Sequence, residues 1–119
     1  VSVISVESRL SLVEKAQELL VAIGADNAAV VKSKLVDGYE QEGPYDRILV
    51  EGAVGYMPKR LLDQLTPKGT LVSVWRPNGS SGGVASLWCR SGNSFVRTSL
   101  FDAQIPIFDE FKPKTEFRF

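Results

Sequence analysis

Two acids in this chain stand where an α/β sheet could do chemistry. Glu7 closes a β-branched apolar stretch, Val1, Val3, Ile4 and Val6, that favours a strand. Glu51 follows the continuous apolar run Ile48-Leu49-Val50 and precedes Gly52 and Ala53. Such runs, bounded by breakers, suit strands buried on both faces, as in parallel sheets. In an open α/β sheet the ligand sits outside the carboxyl ends of the strands, which would put Glu51, Gly52 and Ala53 at the mouth of a site. Glu7 has two readings. One is a solvated residue at a strand-helix junction, and the residue alone favours it. The other is an acid at a strand tip that accepts hydrogen bonds from two ribose hydroxyls.

Other chemistry is narrowed by what the sequence lacks. It contains no histidine, so the commonest general base and metal ligand are missing from it. There is no metal-ligand spacing and no Ser/His/Asp arrangement. No catalytic side chain and no metal ligand is therefore assigned. The single cysteine, Cys89, cannot form an internal disulfide, which fits a reducing, cytoplasmic compartment. With no histidine to activate it, Cys89 reads as packing rather than as a nucleophile.

The elements that must hold Glu7 and Glu51 can be read in order. After the first strand, Ser11 with Glu14 fits a capping box, with Ser8 as an alternative start. Leu12, Ala16, Leu19 and Ile23 form the apolar stripe of a helix, widened by Val13 and Leu20, and this stripe is expected to pack on a sheet. Gly24 suits the residue just past the helix end. Residues 28–32 read as a second strand and 33–43 as a loop with an Asp37-Gly38 turn. The run at Ile48-Leu49-Val50 is the third strand, and Pro58 opens a second helix with Leu61, Leu62 and Leu65 on its buried side. Thr66-Pro67-Lys68-Gly69 ends that helix. A fourth strand spans 70–75 and a glycine-rich connector 77–83. Strands at 84–90 and 94–100 flank a three-residue turn, Ser91-Gly92-Asn93. The tail from 101 onward alternates aromatic and charged residues.

Bulk properties bound the class. The 119 residues suffice for one domain with a modest core, and 44% hydrophobic with 24% charged residues is an ordinary globular composition. Lys+Arg and Asp+Glu are both 14, so no net basic field points to nucleic acid. No apolar run approaches a membrane span. Val1 is not a start methionine and strand begins at once, so the chain is expected to be a piece of something longer.

The order strand-helix-strand-strand-helix-strand-hairpin, with Glu7 at the first strand tip, resembles the second half of a class I S-adenosylmethionine-dependent methyltransferase. Val6-Glu7, Glu14-Lys15-Ala16, Gly24 with Asp26-Asn27, Gly38, the run from Pro44 through Val50, Pro58 and Leu61-Leu62-Asp63-Gln64-Leu65 with Gly69-Thr70-Leu71-Val72 narrow this further. They resemble the protein-L-isoaspartate O-methyltransferase family, in register over residues 6–72. The resemblance implies a Rossmann-like α/β sheet with a C-terminal antiparallel hairpin, lacking the family's first strand and glycine-rich loop. It implies S-adenosylmethionine as cofactor, its ribose held by Glu7 and its adenine read at Ser33, Lys34 and Leu35. It implies Glu51, Gly52 and Ala53 as the border of the substrate site. The family methylates the free carboxylate of isoaspartyl residues in damaged proteins and so starts their repair.

The sequence departs from the family pattern in two places, as a divergent bacterial branch would. Ser33, Lys34 and Leu35 stand for the usual Gly-Asp-Gly, which exchanges an acceptor carboxylate for an ammonium group. The usual Arg-Phe-Val-Pro-Leu segment of the substrate pocket is not evident, and Ser99-Leu100-Phe101-Asp102-Ala103 stands about there.

Residues 1–119 are thus expected to form a partial methyltransferase domain, inactive by itself. The family's first strand, expected to be missing here, would lie between the 1–6 and 47–50 strands, and without it both are expected to have open edges for an upstream segment or a second chain to complete. The partners expected are isoaspartyl proteins or peptides, with neither nucleic acid nor membrane. The alternative is a methyltransferase-like fold that has lost catalysis and serves as a binding or structural protein. A dinucleotide-binding domain would also use Glu7 for a ribose, but the antiparallel hairpin at 84–100 favours the methyltransferase arrangement.

Overall fold

The β-branched start of the chain forms β1 (Val3–Glu7), which leads into α1 (Leu10–Ala22) and β2 (Ala28–Lys32). β1 and β2 pair in parallel, from Val3 opposite Ala28 to Glu7 opposite Lys32, so the first unit is a βαβ crossover. The computed structural model describes residues 2–77 and 82–112 and divides into two units, Val1–Gly43 and Pro44–Phe119.

Helix α1 corrects the expected packing. Its one fully buried residue is Val13, 3% exposed, while Leu12, Leu19 and Ile23 are 44%, 56% and 74% exposed. The half-buried residues Ala16 and Leu20 continue from Val13 at three- and four-residue steps. The helix therefore faces β1 and β2 with Ala16 of the expected stripe and the two residues that widen it, Val13 and Leu20, rather than with Leu12, Leu19 and Ile23. Gln17 ties this flank to the strand, its Nε2 donating to the Val30 carbonyl at 3.1 Å. Neither serine caps the helix. The N-cap is Arg9, without a side-chain cap bond, and Ser11 lies inside the first turn. The C-terminus behaves as its glycine requires. Gly24 takes φ +71°, its amide bonds Val21, and Ala25 bonds Leu20, which is a Schellman closure.

Beyond β2 the loop makes two short 3-10 turns, Leu35–Asp37 and Glu40–Glu42, separated by Gly38 at φ +60°.

The second unit carries β3 (Tyr45–Val54), α2 (Lys59–Leu62), β4 (Leu65–Trp75), β5 (Gly83–Ser91) and β6 (Ser94–Ala103), in the sheet order β3-β4-β5-β6. β3 and β4 are parallel, and β5 and β6 add antiparallel strands as the sequence implied. The strands are longer than expected. β3 runs on through Glu51, Gly52 and Ala53, and β4 begins at Leu65. Residues 66–69 form an irregularity inside β4, where the register steps from Tyr45–Leu65 to Arg47–Thr70, rather than a turn before it. Pro58 is the N-cap of α2, which is a single turn with Leu61 and Leu62 buried. Ser91 pairs with Ser94, so the hairpin loop is two residues, not three, and only Gly92 takes positive φ, as the first position of a type II′ turn does. Most of the glycine-rich connector, together with the end of the tail, lies outside the described residues.

Two further findings bear on the site. Leu49 is 64% exposed, so the apolar run of β3 is not buried on both faces here. Among the described residues β1 pairs only with β2, and β3 pairs with β4 on one edge, meeting only Ile107 in an isolated bridge otherwise.

Candidate functional site

Glu7 sits at the carboxyl end of β1 because the apolar strand residues before it fix the pairing with β2. Its backbone carbonyl accepts the Ser33 amide at 3.2 Å, which carries the parallel pairing one residue beyond β2. The two stretches that the sequence reading assigned to one ligand, Glu7 and Ser33-Lys34-Leu35, therefore end side by side on one sheet. The Glu7 carboxylate is oriented as well. Its Oε1 accepts the Arg9 amide at 3.1 Å, at the N-terminal end of α1. Among the described residues this is the only hydrogen bond to that carboxylate, and Oε2 keeps its acceptor capacity. Glu7 is half-buried, so the group is held by its surroundings yet reachable.

Lys34 follows Ser33 in the chain. It is exposed and is the N-cap of the Leu35–Asp37 turn, where its carbonyl accepts the Asp37 amide at 3.0 Å. Leu35 and Ser33 are half-buried. An acceptor, an alcohol and an apolar side chain at the end of a parallel strand pair can hold a sugar and the edge of a base. An exposed ammonium supplies no acceptor to an exocyclic amine.

The second set of residues is built differently from the expectation. Glu51, Gly52 and Ala53 lie inside β3, at a place where the strand slips against β4. Leu49 pairs with Val72 but Ala53 with Val74, so the residues between carry extra length as in a β-bulge. Glu51 is exposed, whereas Gly52 and Ala53 are buried, Ala53 at 0%. Of the three, only Glu51 presents a side chain to solvent.

Sequence reasoning missed two residues here. Ser73 is 3% exposed on β4, and its hydroxyl donates to the Gly52 carbonyl at 3.0 Å. Phe108 lies against Gly52 from the tail. A Cβ on Gly52 would overlap its ring, with Cδ2 and Cζ 2.6 Å away. The tail is bound to β3 by its backbone. The Ala53 amide donates to Pro106 at 3.1 Å, the Phe108 amide to Ala53 at 3.2 Å, and the Gly55 amide to Phe111 at 2.7 Å. Ser99 to Ala103, which stand about where the family has its pocket segment, belong to β6 and pair with β5. The residues that reach the end of β3 come a few positions later, in Ile105-Pro106-Ile107. Their aliphatic-proline-aliphatic pattern matches the Val-Pro-Leu part of the family segment and was the available signal.

Among the described residues no group of three or more His, Cys, Asp and Glu could hold a metal ion. No described helix is long and apolar enough to cross a membrane.

Comparison with known proteins adds the family. The family model for protein-L-isoaspartate (D-aspartate) O-methyltransferase matches residues 1–84. The chain belongs to the protein-L-isoaspartate O-methyltransferase family. It is 44% identical over 70 residues to protein-L-isoaspartate O-methyltransferase 2 of Archaeoglobus fulgidus, covering 59% of this chain and 32% of that protein. It is 36% identical over 108 residues to the enzyme of a Bradyrhizobium species, covering 87% of this chain and 47% of that protein. The second match runs well past the residues quoted for the resemblance and into the tail. Among solved structures, a protein-L-isoaspartate O-methyltransferase superposes with a TM-score of 0.84 at 21% identity, over 93% of this chain and 35% of that one. A Plasmodium falciparum member, solved with S-adenosyl-L-homocysteine, superposes with a TM-score of 0.74 at 20% identity, over 92% of this chain and 53% of that one. These structures share the mixed α/β fold with its antiparallel C-terminal strands. The chain spans about half the length, or less, of the relatives it matches.

Proposed function

We propose that this chain is the cofactor-binding and acceptor-bordering part of an S-adenosylmethionine-dependent O-methyltransferase of the isoaspartyl type. One observation carries the reading. The Ser33 amide bonds the Glu7 carbonyl at 3.2 Å, which gathers the proposed ribose acid and the proposed adenine stretch at one end of a parallel strand pair. The residues fit the ribose half of the cofactor, because the carboxylate is fixed by Arg9 through one oxygen and keeps acceptor capacity on the other. Their fit to the adenine half is poorer, because Lys34 brings donors where an acceptor is wanted.

When bound, S-adenosylmethionine supplies a methyl group activated on a sulfonium. The chain's own residues bind and orient. Glu7 holds the ribose hydroxyls, Ser33 and Leu35 border the base, and the end of β3 at Glu51, Gly52 and Ala53 borders the acceptor. A carboxylate acceptor is already ionised, so alignment and proximity carry the rate and no histidine is required. Glu51, as a second carboxylate, would repel the acceptor if it pointed at it. Its exposure supports an orientation toward solvent or toward the flanking peptide. Among the described residues β1 pairs on one edge with β2 and β3 on one edge with β4, which supports completion by another segment or by a second chain. The expected setting is the cytoplasm, with isoaspartyl proteins or peptides as partners and neither nucleic acid nor membrane.

A second reading, a methyltransferase-like fold that binds without catalysing, is favoured by Lys34 alone. Incubating the full-length protein with methyl-labelled S-adenosylmethionine and a peptide carrying either isoaspartate or aspartate separates the two. Label in the isoaspartyl peptide only is the expected result. Cofactor bound with no label in either peptide would replace the first reading by the second.

A further inference from the structure

One guanidinium on the C-terminal hairpin is held in a fixed place, and no acid holds it. Arg97, exposed on β6, spends its Nη1 on two hydroxyls, Ser86 Oγ at 2.9 Å and Ser99 Oγ at 3.1 Å. Ser86 is 0% exposed, and its hydroxyl donates to the Val84 carbonyl at 2.9 Å, so toward Arg97 it acts as the acceptor. The Arg97 guanidinium also lies over the Trp75 ring, 5.7 Å from its centroid, within reach of a cation–π attraction. Trp75 is braced in turn by Trp88, 5% exposed, edge to face at 6.1 Å. Among the described residues no carboxylate pairs with Arg97. Its Nε and Nη2 hydrogens keep their donor capacity, and that side of the planar fork takes a carboxylate through two parallel bonds.

The place of this fork in the sheet gives it a use. Trp75 ends β4 and pairs with Val54, the last residue of β3. Arg97 therefore lies over the carboxyl end of the parallel strands, where ligands are approached. Ser73 relates it to the acceptor border. The Ser73 hydroxyl bonds the Gly52 carbonyl, and Ser73 itself pairs with Ser86. From Gly52 to the fork is thus two to three strand spacings, about 10–14 Å. An extended peptide covers that span in about three or four residues.

We infer that Arg97 is a substrate-binding residue that takes a carboxylate of the polypeptide bearing the methyl acceptor, an acidic side chain or the chain end, about three or four residues from the isoaspartate. The inference rests on the methyltransferase reading above and names the substrates it favours. The ring and the hydroxyls fix the fork before the peptide arrives, so less side-chain freedom is lost on binding than for a mobile surface arginine.

The test uses the full-length protein and amidated isoaspartyl peptides that differ only in glutamate or glutamine at those spacings, before or after the isoaspartate. Steady-state kinetics give the peptide KM, and calorimetry gives Kd for S-adenosylmethionine. The wild type is expected to show a KM about fivefold lower for the glutamate peptide on one side of the isoaspartate, the worth of one exposed ion pair. Raising the salt should shrink that difference. In R97Q the ratio is expected to fall to about one, while R97K, which keeps the charge and loses the fork, keeps part of it. The cofactor Kd is expected to stay at the wild-type value in both. A peptide ending at the same spacing in a free carboxylate separates the sources. A preference for it over its amide, lost in R97Q, supports the chain end as the occupant. Equal KM values for every charged and neutral pair, a preference that survives R97Q, or cofactor binding that weakens in R97Q would overturn the inference. The wild-type comparison needs no variant, so it decides even if R97Q fails to fold. A wild type that binds cofactor but methylates no peptide overturns the methyltransferase reading, and this inference with it. An active wild type indifferent to the added carboxylate overturns this inference alone.

Discussion

The amide of Ser33 donates to the carbonyl of Glu7 at 3.2 Å, one step past the last paired residues of two parallel strands. That bond makes the tip of β1 and the start of the loop after β2 a single local structure. Any ligand that uses the Glu7 carboxylate is therefore beside Ser33 and within reach of the loop that follows.

Lys34 is the point where this local structure departs from its family. It is exposed, so an aspartate there can be accommodated without repacking. In the full-length protein Lys34→Asp is expected to tighten S-adenosylmethionine binding about fivefold, the worth of one ordinary hydrogen bond to the adenine amine. Calorimetric Kd values for the two proteins check this, and weaker binding by the aspartate variant would contradict it.

The bulge in β3 gives a stability prediction. Ser73→Ala removes the hydroxyl that serves the buried Gly52 carbonyl. Leaving such an acceptor without its partner costs about 1–3 kcal/mol. Urea denaturation of the full-length protein should record a loss of that size, and Ser73→Thr, which keeps a hydroxyl, should lose less.

Gly24 gives a second, with a different cause. It holds φ +71° in the closure of α1, and a Cβ there would meet nothing within 4 Å. The cost of Gly24→Ala is thus conformational alone, about 1 kcal/mol. Thermal unfolding should show it, and Gly24→Asn, which tolerates the left-handed region better, should fall between the two.

The sequence exposed most of the fold through signals that are local. β-branched runs marked β1 and β2, Gly24 marked the end of α1, and Gly92 marked the hairpin, because backbone sterics act on the residue itself. It misplaced what depends on contacts between distant residues. Leu12, Leu19 and Ile23 look like a core stripe by spacing, yet β1 and β2 take the neighbouring flank led by Val13. The irregularities inside β3 and β4 left no pattern in either strand alone, because a slip in register is a property of the pair. At the candidate site, Glu7 was legible as an acid at a strand tip. Ser73 and Phe108 were not, since a serine inside a strand and a phenylalanine in an irregular tail acquire their roles only when Gly52 is placed between them.

The most direct test of the account is a calorimetric titration of S-adenosylmethionine into the full-length protein, wild type against Glu7→Ala. Saturable binding by the wild type, weakened roughly tenfold to a hundredfold by the loss of a charged acceptor, is the result predicted. Wild-type binding that Glu7→Ala leaves unaltered would contradict the placement of the ribose at the tip of β1, and no wild-type binding up to millimolar cofactor would contradict the methyltransferase reading itself.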